Sequence, residues 1–308
     1  MMKKTLIALA VLAVSGAAMA QSSVTLYGIA DVAVVKDKGE SAYMKSGGMS
    51  TSRWGLKGSE DLGGGLKANF NFEQGVNLTT GAASGFTRQA NVGVSGAFGV
   101  VKLGKTWTAY DDVAGATDPV FDSLLSPMGI APSYQNYTSN PNSGVYYSSP
   151  SFGGFSGAFA TSFKDASADD LRVTSFNVAY EGGPVYVALG HQQEATSSAD
   201  TVKFTRLNAS YDLGAAKILA GFGDVKDVAQ DITVGVDVPL GGALVLSTGF
   251  TQVRPDVGDN GNSFAVGVNY ALSKRTNVYT GFRKDNDAAV SSFGGVESRF
   301  ALGLRHTF

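Results

Sequence analysis

Side chains that carry out nucleophilic or metal chemistry are scarce in this sequence. It contains no cysteine, and His191 and His306 are its two histidines. Neither histidine has the spacing to other ligands that is typical of a zinc site. Asp111 and Asp112 are neighbours in a loop, an arrangement that rarely makes an acid–base pair. The residues therefore argue against an enzyme, and we predict no metal and no cofactor.

Charged side chains are more informative, because many of them fall on the polar phase of alternating segments. The cations on this phase are Arg53, Lys57, Lys67, Lys102, Arg206, Lys217, Arg283, Arg299 and Arg305. The acids on it are Asp31, Glu73 and Asp237, and a second set of acids lies in the longest link between segments: Asp111, Asp112, Asp118 and Asp122. If the cations and the loop acids face each other, they create a transverse field that acts on passing ions. For any single charge, solvation or a weak ion pair with the next strand is at least as good an interpretation.

The elements that must position these charges are β-strands. Residues 24–32, 66–73, 232–238 and 263–270 alternate between apolar and small or polar side chains, which is the period of a strand with one apolar face. Counting all such runs predicts sixteen strands between Val24 and Phe308. Short links rich in Gly, Pro and Asp, which are turn-forming residues, alternate with longer polar links. The longest link, residues 109–142, is also rich in apolar residues, so we expect it to pack inside the fold.

The last alternating segment indicates the environment of the sheet. Its apolar phase consists of Phe300, Leu302, Leu304, His306 and Phe308. Soluble domains seldom end on such a strand, whereas the strand that closes an outer-membrane barrel has this pattern. Tyr180, Tyr211, Tyr270 and Phe308 end strands that run in one direction, as expected of aromatic residues at a membrane interface.

A sheet in lipid must close, because an unpaired N–H or C=O group costs several kcal/mol in hydrocarbon. Sixteen strands enclose an interior too wide for side chains to fill, so water enters. We therefore predict an all-β fold: a transmembrane 16-stranded antiparallel up-and-down barrel with outer-membrane lipid on its outside and the long third loop folded into its pore.

The first twenty residues have the pattern of a signal peptide. Lys3 and Lys4 precede an apolar run, and Ala18-Met19-Ala20 is a small-residue cleavage site. We expect residues 1–20 to be removed after Ala20 and residues 21–308 to form the barrel domain. The net charge of the whole chain is −2, which argues against a nucleic-acid partner.

Several segments resemble the general porins of β-proteobacteria, in order and over nearly all of the predicted barrel. These segments are residues 23–28 (SVTLYG), 52–58 (SRWGLKG), 60–68 (EDLGGGLKA), 86–90 (FTRQA), 98–104 (FGVVKLG) and 149–155 (SPSFGGF). The resemblance implies a homotrimeric outer-membrane channel for ions and small hydrophilic solutes. It also places arginines in the motifs at positions 53 and 88.

The resemblance and the phase together predict a pore wall and constriction. The residues are Arg53, Arg88, Lys57, Lys102, Arg283, Arg305 and Tyr146. Arg53 is the first candidate for the constriction. Arg88 shares the parity of apolar residues in its strand, and Lys105 has the same difficulty, so their orientation stays open. Tyr146 stands where the family often has an arginine, so we expect passive diffusion with only a slight preference for anions.

Three alternatives remain at this point. A substrate-specific channel for a small anion or a sugar would need a ladder of aromatic residues, for which Tyr27, Tyr146, Tyr186 and Tyr279 have the inward phase. An outer-membrane hydrolase would depend on His191. An adhesin or receptor would act through its external loops, which are short here apart from the third.

Overall fold

The computed structural model describes residues 23–163, 171–195 and 201–308, so the predicted signal peptide and its cleavage after Ala20 lie outside the described residues. Strand segments dominate the chain. They are β1 (Ser23–Asp37), β2 (Tyr43–Ser46), β3 (Arg53–Gly63), β4 (Leu66–Gly75), β5 (Gln89–Gly96), β6 (Gly99–Lys105), β7 (Gly144–Ser148), β8 (Phe155–Ser162), β9 (Arg172–Gly182), β10 (Val185–Ala195), β11 (Val202–Asp212), β12 (Lys217–Val225), β13 (Ala229–Pro239), β14 (Leu244–Pro255), β15 (Gly261–Ala271), β16 (Thr276–Asp285) and β17 (Ser298–Thr307).

Apart from β2 and β3, which do not pair with each other, each strand pairs antiparallel with its neighbours in the chain, and β17 closes the sheet on β1. Next to this pairing, the backbones of Gly28 and Phe308 exchange two hydrogen bonds of 3.0 Å. Both β2 and β3 pair with β1, one after the other along it, so they form a single interrupted strand of a 16-stranded barrel. The predicted fold class is confirmed. Closure leaves no sheet edge that would expose unpaired backbone groups to lipid.

The interruption between β2 and β3 turns inward and is held by one buried carboxylate. Asp31, on β1, accepts hydrogen bonds from the backbone N–H groups of Gly48 (3.1 Å), Met49 (2.9 Å) and Ser50 (2.7 Å). The Tyr279 hydroxyl donates a fourth, at 2.5 Å. Asp31 is therefore a structural residue rather than a charge in the open lumen.

The two faces of the barrel follow the predicted parity. On β17, Phe300, Leu302 and Leu304 are each nearly half exposed on the outside, while Ala301 between them is buried. Inside, Gln192 and Arg206 are completely buried. This distribution is the inverse of a soluble protein, in which charged side chains are almost never fully buried, and it suits a barrel with lipid outside and polar groups within.

In the described residues, four short helical segments lie in the links between strands. Three lie between β6 and β7, namely α1 (Asp111–Ala114), a 3-10 turn (Pro127–Ile130) and α2 (Pro132–Gln135), and α3 (Asp287–Ser292) lies between β16 and β17. Within the described ranges, no helix is long and apolar enough to cross a bilayer. Residues 106–143, which join β6 to β7, are called the third loop below.

Candidate functional site

The third loop packs against the inner wall instead of projecting into solvent. Its Ala109 N–H donates to Ser175 Oγ on β9 at 3.0 Å, and its Val120 N–H donates to Ser247 Oγ on β14 at 2.8 Å. Further on, the Leu124 N–H donates to the Gly48 carbonyl at 2.7 Å. The loop therefore lines one side of the lumen, from β9 to the inward interruption after β2, as its length and apolar content predicted.

A track of inward-facing glycines provides the space for the loop. A Cβ built on any of these glycines would come too close to a side chain of the loop. The contacts are Gly190 with Val113 at 2.6 Å, Gly235 with Pro119 at 2.6 Å, Gly267 with Val120 at 2.8 Å, Gly281 with Leu125 at 2.9 Å, and Gly249 with Pro119. Side chains there would occupy the position of the loop. Sequence reasoning missed this track, although its signal was present as glycines on the inward phase of successive strands.

The tip of the loop has a strained backbone. Val120, Phe121 and Asp122 have φ angles of 59°, 68° and 50°, a left-handed conformation that costs on the order of 1 kcal/mol or more for each non-glycine residue. Ser123 Oγ donates to the Val120 carbonyl at 2.6 Å. This bond and the contacts to Ser247 and Gly48 fix the tip in place.

A fully buried ion pair anchors the middle of the loop. Arg206, on β11, donates to Asp231 Oδ1 at 2.8 Å and to Asn208 Oδ1 at 3.1 Å. Its Nη1 also donates to Ser133 Oγ, in α2, at 2.7 Å. Both charged side chains are 0% exposed. Removing one partner of such a pair typically costs about 3–5 kcal/mol, so this pair ties the loop firmly to the wall.

Strand phase placed Arg206 and Arg283 on the inner face, but neither arginine faces the third loop across the lumen. Arg283 is 4% exposed and donates to Asp285 at 3.0 and 2.7 Å, and a Cβ on Gly129 in the loop would strike its guanidinium. Both arginines therefore lie underneath the loop and are neutralised there. Strand phase identifies the inner face, but it does not indicate which part of the circumference the loop covers.

On the uncovered side of the lumen, two arginines share one carboxylate. Glu73, on β4, lies 2.8 Å from Arg88 Nε and 3.5 Å from Arg53 Nε. Arg88 occupies a bend directly before β5 and its guanidinium lies 5.0 Å from the Trp107 ring. The bend explains why Arg88 turns inward although its parity matches outward residues. Lys105 turns to the end of the third loop, where it donates to Asn140 O at 2.8 Å and Asn142 Oδ1 at 2.9 Å.

Two lysines lie further toward the short turns on the same side. Lys57 is 5.1 Å from the ring centre of Tyr27, and Lys102 is 4.7 Å from that of Tyr146. Arg305, on β17, lies in register with Asp31 on β1. Together with the Arg53–Glu73–Arg88 group, these side chains give the uncovered wall a net positive charge.

The acids of the third loop are placed in two ways. Asp112 and Asp122 are exposed to the lumen, whereas Asp118 is buried against the loop itself. Asp112 accepts from the Tyr146 hydroxyl at 2.8 Å, and Asp122 accepts from the Tyr134 hydroxyl. Of the predicted loop acids, Asp118 therefore does not face the opposite wall, and burial together with the neighbouring Asp122 raises its pKa well above the usual range.

Asp111 is the loop acid with the most informative titration. Burial raises its pKa to about 6, although the Tyr137 hydroxyl, which donates to Oδ1 at 2.7 Å, acts in the opposite direction. Asp111 lies in α1, outside the strands, and the positive charge of Arg88 also acts on it. It is therefore mostly ionised at neutral pH and mostly neutral at pH 5.

The inward tyrosines do not form an open aromatic ladder. Tyr27 donates to Asn71 Oδ1 at 2.8 Å and to Glu73 Oε2 at 2.9 Å. The hydroxyls of Tyr146 and Tyr279 donate to Asp112 and Asp31. The hydroxyl groups of three of the four predicted tyrosines thus donate to other side chains of the protein, and only Tyr186 has no such bond within the described residues.

Both histidines are on the outward phase of their strands, whereas the acids of the third loop are inside the barrel. His306 shares a 2.8 Å hydrogen bond with Thr276 Oγ1 on the outer face, and His191 shares one of 2.9 Å with Thr205 Oγ1. The described part of the chain has no group of three His, Cys, Asp or Glu side chains that could hold a metal ion.

The predicted closing strand lies with its apolar phase outward. Phe300, Leu302, Leu304, His306 and Phe308 are all exposed on the outside of the barrel. The Phe308 ring lies over Gly28, where a Cβ would strike it, and it lines an outer groove together with Leu26 and Trp54. The terminal ring therefore covers the seam at which the barrel closes.

A closed barrel with an apolar exterior, a charged lumen and a loop seated against one inner wall defines a β-barrel membrane channel. Comparison with known proteins places the chain within this class. The family model for Gram-negative porins matches residues 5–289. The chain therefore belongs to the Gram-negative porin family, and the predicted resemblance is confirmed.

Two outer membrane porin proteins are similar to the chain over its whole length. Outer membrane porin protein 32 of Delftia acidovorans is 36% identical over 357 aligned residues, and an outer membrane porin protein of Bordetella pertussis is 31% identical over 388, each with 100% of both chains covered. Among solved structures, an anion-selective porin from Comamonas acidovorans has a TM-score of 0.79 at 28% identity, covering 94% of this chain and 100% of that one. The trimer form of OmpT from Vibrio cholerae has a TM-score of 0.72 at 17% identity, covering 93% of this chain and 99% of that one, a likeness of fold alone.

Proposed function

We propose that this outer-membrane porin forms a water-filled channel for passive diffusion of ions and small hydrophilic solutes, with a slight preference for anions. The observation that carries the proposal is the asymmetry of the lumen. The third loop covers Arg206 and Arg283, which Asp231 and Asp285 of the wall neutralise, while Arg53, Arg88, Lys57 and Lys102 stay on the uncovered wall. Fixed cations along a wide pore favour the entry of anions.

The preference is slight because acids oppose these cations. Glu73 offsets one of the two arginine charges beside it. Asp112 and Asp122 bring negative charge from the exposed side of the third loop. The relative from Comamonas acidovorans is described as anion-selective, which supports the sign of the preference.

Single-channel recording of the purified protein in a planar bilayer tests diffusion directly. We expect discrete conductance steps, with current that rises linearly with voltage at small potentials and with salt concentration. Swelling of liposomes that contain the protein should then fall steeply as the size of an added neutral solute increases. Absence of conductance steps from correctly folded protein would refute the channel function.

A substrate-specific channel is the main competing function, and the tyrosines count against it, since most of their hydroxyls are engaged within the protein. A neutral sugar that blocks the current at a saturating concentration would favour this alternative.

We also infer that the chain is not an enzyme. His191 points outward beside Phe176, with ring centres 5.5 Å apart, so the wall of the barrel separates its ring from the acids of the third loop. Hydrolysis of ester or phospholipid substrates that the His191→Ala variant loses would contradict this inference.

We further propose that the protein works as a homotrimer and that residues 1–20 are removed after Ala20. The trimer is supported by the exposed apolar surface around Leu26 and Trp54 and by the trimer form of the OmpT structure from Vibrio cholerae, whose fold this chain shares. Crosslinking of the protein in detergent should give a band at three times the mass of the monomer. Mass spectrometry of the protein from outer membranes should find Gln21 at the amino terminus.

A further inference from the structure

We propose that the half of the lumen next to the short turns holds a binding site for small divalent oxyanions, such as a dicarboxylate or hydrogen phosphate, between Lys57 and Lys102. A cavity of about 290 Å³ lies there, and both lysines line it. The inference rests on the anion-conducting function proposed above and goes beyond it, because it assigns a saturable site on the path of the ions. Four residues along β3, or about 13 Å at the usual rise of a strand, separate Lys57 from Arg53, so this site is distinct from the arginine pair.

The register of the strands builds the cavity from two adjacent rows of inward residues. One row consists of Thr25, Lys57, Asn71 and Asn91, which lie side by side on β1, β3, β4 and β5. The next row toward the turns consists of Ser23, Ser59, Asn69, Gly93 and Lys102. All but Gly93 carry hydrogen-bonding side chains.

Gly93 creates the open space between the two lysines. It lies in register between Asn69 and Lys102, and a Cβ at this position would strike the Val101 carbonyl oxygen. No side chain therefore fills the centre of the second row. The result is a recess in the wall with Lys57 at one end of its lining and Lys102 at the other, three strand positions apart.

Neither lysine is neutralised by the protein. In the described residues, no carboxylate oxygen lies within 4.0 Å, the limit for an ion pair, of either ammonium group. The charge of Asp112 acts on Lys102 from beyond that distance. Each ammonium instead lies over an aromatic ring, Tyr27 for Lys57 and Tyr146 for Lys102. A ring face holds a cation in position but leaves its charge available to an anion.

The carboxamides are oriented as donors toward the cavity. Asn71 Oδ1 already accepts from the Tyr27 hydroxyl at 2.8 Å, and Gln89 Oε1 accepts from Asn91 Nδ2 at 3.3 Å. With these oxygens engaged, Asn71 Nδ2 and Gln89 Nε2 remain as donors on the lining of the cavity. Two ammonium groups and two amide donors match an acceptor-rich dianion, and charge-assisted hydrogen bonds of this kind are the strong ones.

The test is block of the single-channel current by succinate or by inorganic phosphate added on the turn side. We expect the current through the wild-type channel to fall to a plateau as either probe is raised. The paired variant Lys57→Gln, Lys102→Gln should weaken the apparent affinity by about tenfold or more, since two charge-assisted contacts are lost. Lys67→Gln is the matched control, because it removes an inward charge from β4 that does not line the cavity, and it should change the affinity by less than about twofold.

Replacement of both lysines by arginine keeps the charge and should restore most of the affinity, which guards against a variant that merely folds poorly. Stronger block by succinate would identify the site as one for dicarboxylates, and stronger block by phosphate as one for phosphate. Block that never saturates, or that Lys67→Gln weakens as much as the paired variant does, would overturn the site. A channel that conducts with an anion preference but shows no saturable block refutes this inference alone, whereas protein that opens no channels refutes the proposed function.

Discussion

Glu73 is the carboxylate that two arginines of the uncovered wall share. It is 4% exposed and lies between the guanidinium groups of Arg53 and Arg88. A carboxylate in this position keeps two like charges close together, because it offsets their mutual repulsion. The sequence placed Arg53 and Glu73 on the inner face by parity. It could not place Arg88, since the bend before β5 changes the direction of that side chain.

Replacing Glu73 with Gln should strengthen the preference for anions. The variant removes one negative charge beside two arginines and keeps the size of the side chain, so the wall becomes more positive. The reversal potential in a KCl gradient should shift toward the chloride equilibrium potential. Asp61→Asn, at the end of β3 where Asp61 accepts from the Gly63 N–H at 2.8 Å, is the control and should shift it much less. A shift of the reversal potential toward the potassium equilibrium potential in the Glu73→Gln variant would contradict this role of Glu73.

The selectivity should depend on pH near the pKa of Asp111. Because burial raises this pKa to about 6, lowering the pH through 6 protonates Asp111 while lysines and arginines stay charged. The lumen then becomes more positive and the anion preference should increase between pH 7 and pH 5. An ordinary aspartate would respond near pH 4. Reversal potentials across this range should change less in the Asp111→Asn variant, and an identical profile in both proteins would show that Asp111 is not responsible.

At the scale of elements, the third loop and the wall behind it form one unit. Length and apolar content predicted that the loop packs inside, and this much follows from the sequence alone. Its choice of wall did not follow, because it depends on glycines at matching heights on neighbouring strands that are far from the loop in the chain. Gly235 pairs with Gly249, and Gly267 pairs with Gly281, so the track exists only once the register is known.

Alanine at both Gly235 and Gly249 should push the third loop into the lumen. Each new Cβ would meet Pro119, and overpacking of this kind costs about 1–3 kcal/mol. We therefore expect a smaller unitary conductance and more current noise. Gly157→Ala, on the outer face of β8, is the control, because its Cβ would have the Asn177 carbonyl oxygen at 3.1 Å as its sole close neighbour. Equal conductance in all three proteins would indicate that the glycines do not seat the loop.

At the scale of the whole molecule, strand parity decides which side chains meet lipid and which meet water. The sequence predicted this correctly for β1, β4, β13, β15 and β17, since alternation is a local property of each strand. The interruption between β2 and β3 was not predicted. It depends on a buried carboxylate, Asp31, that binds three backbone N–H groups of a segment distant from it in the chain.

Thiol labelling in membranes should reproduce the two faces. The chain has no cysteine, so each introduced cysteine reports its own position. Lys57→Cys and Lys67→Cys should react with a charged, water-soluble maleimide, because both positions face the lumen. Val234→Cys and Leu304→Cys, each about half exposed on the outer face, should stay unreactive until detergent removes the lipid. Labelling at Leu304 with protection at Lys57 would mean that the faces are reversed.

The reversal potential of the wild-type channel in a KCl gradient tests the central claim most directly, namely that uncovered wall cations outweigh the acids of the third loop. The predicted result is a reversal potential of the sign set by chloride, well short of the chloride equilibrium potential, at neutral pH and moderate salt. A reversal potential of the sign set by potassium would contradict the account, because it would mean that the acids of the loop govern the lumen.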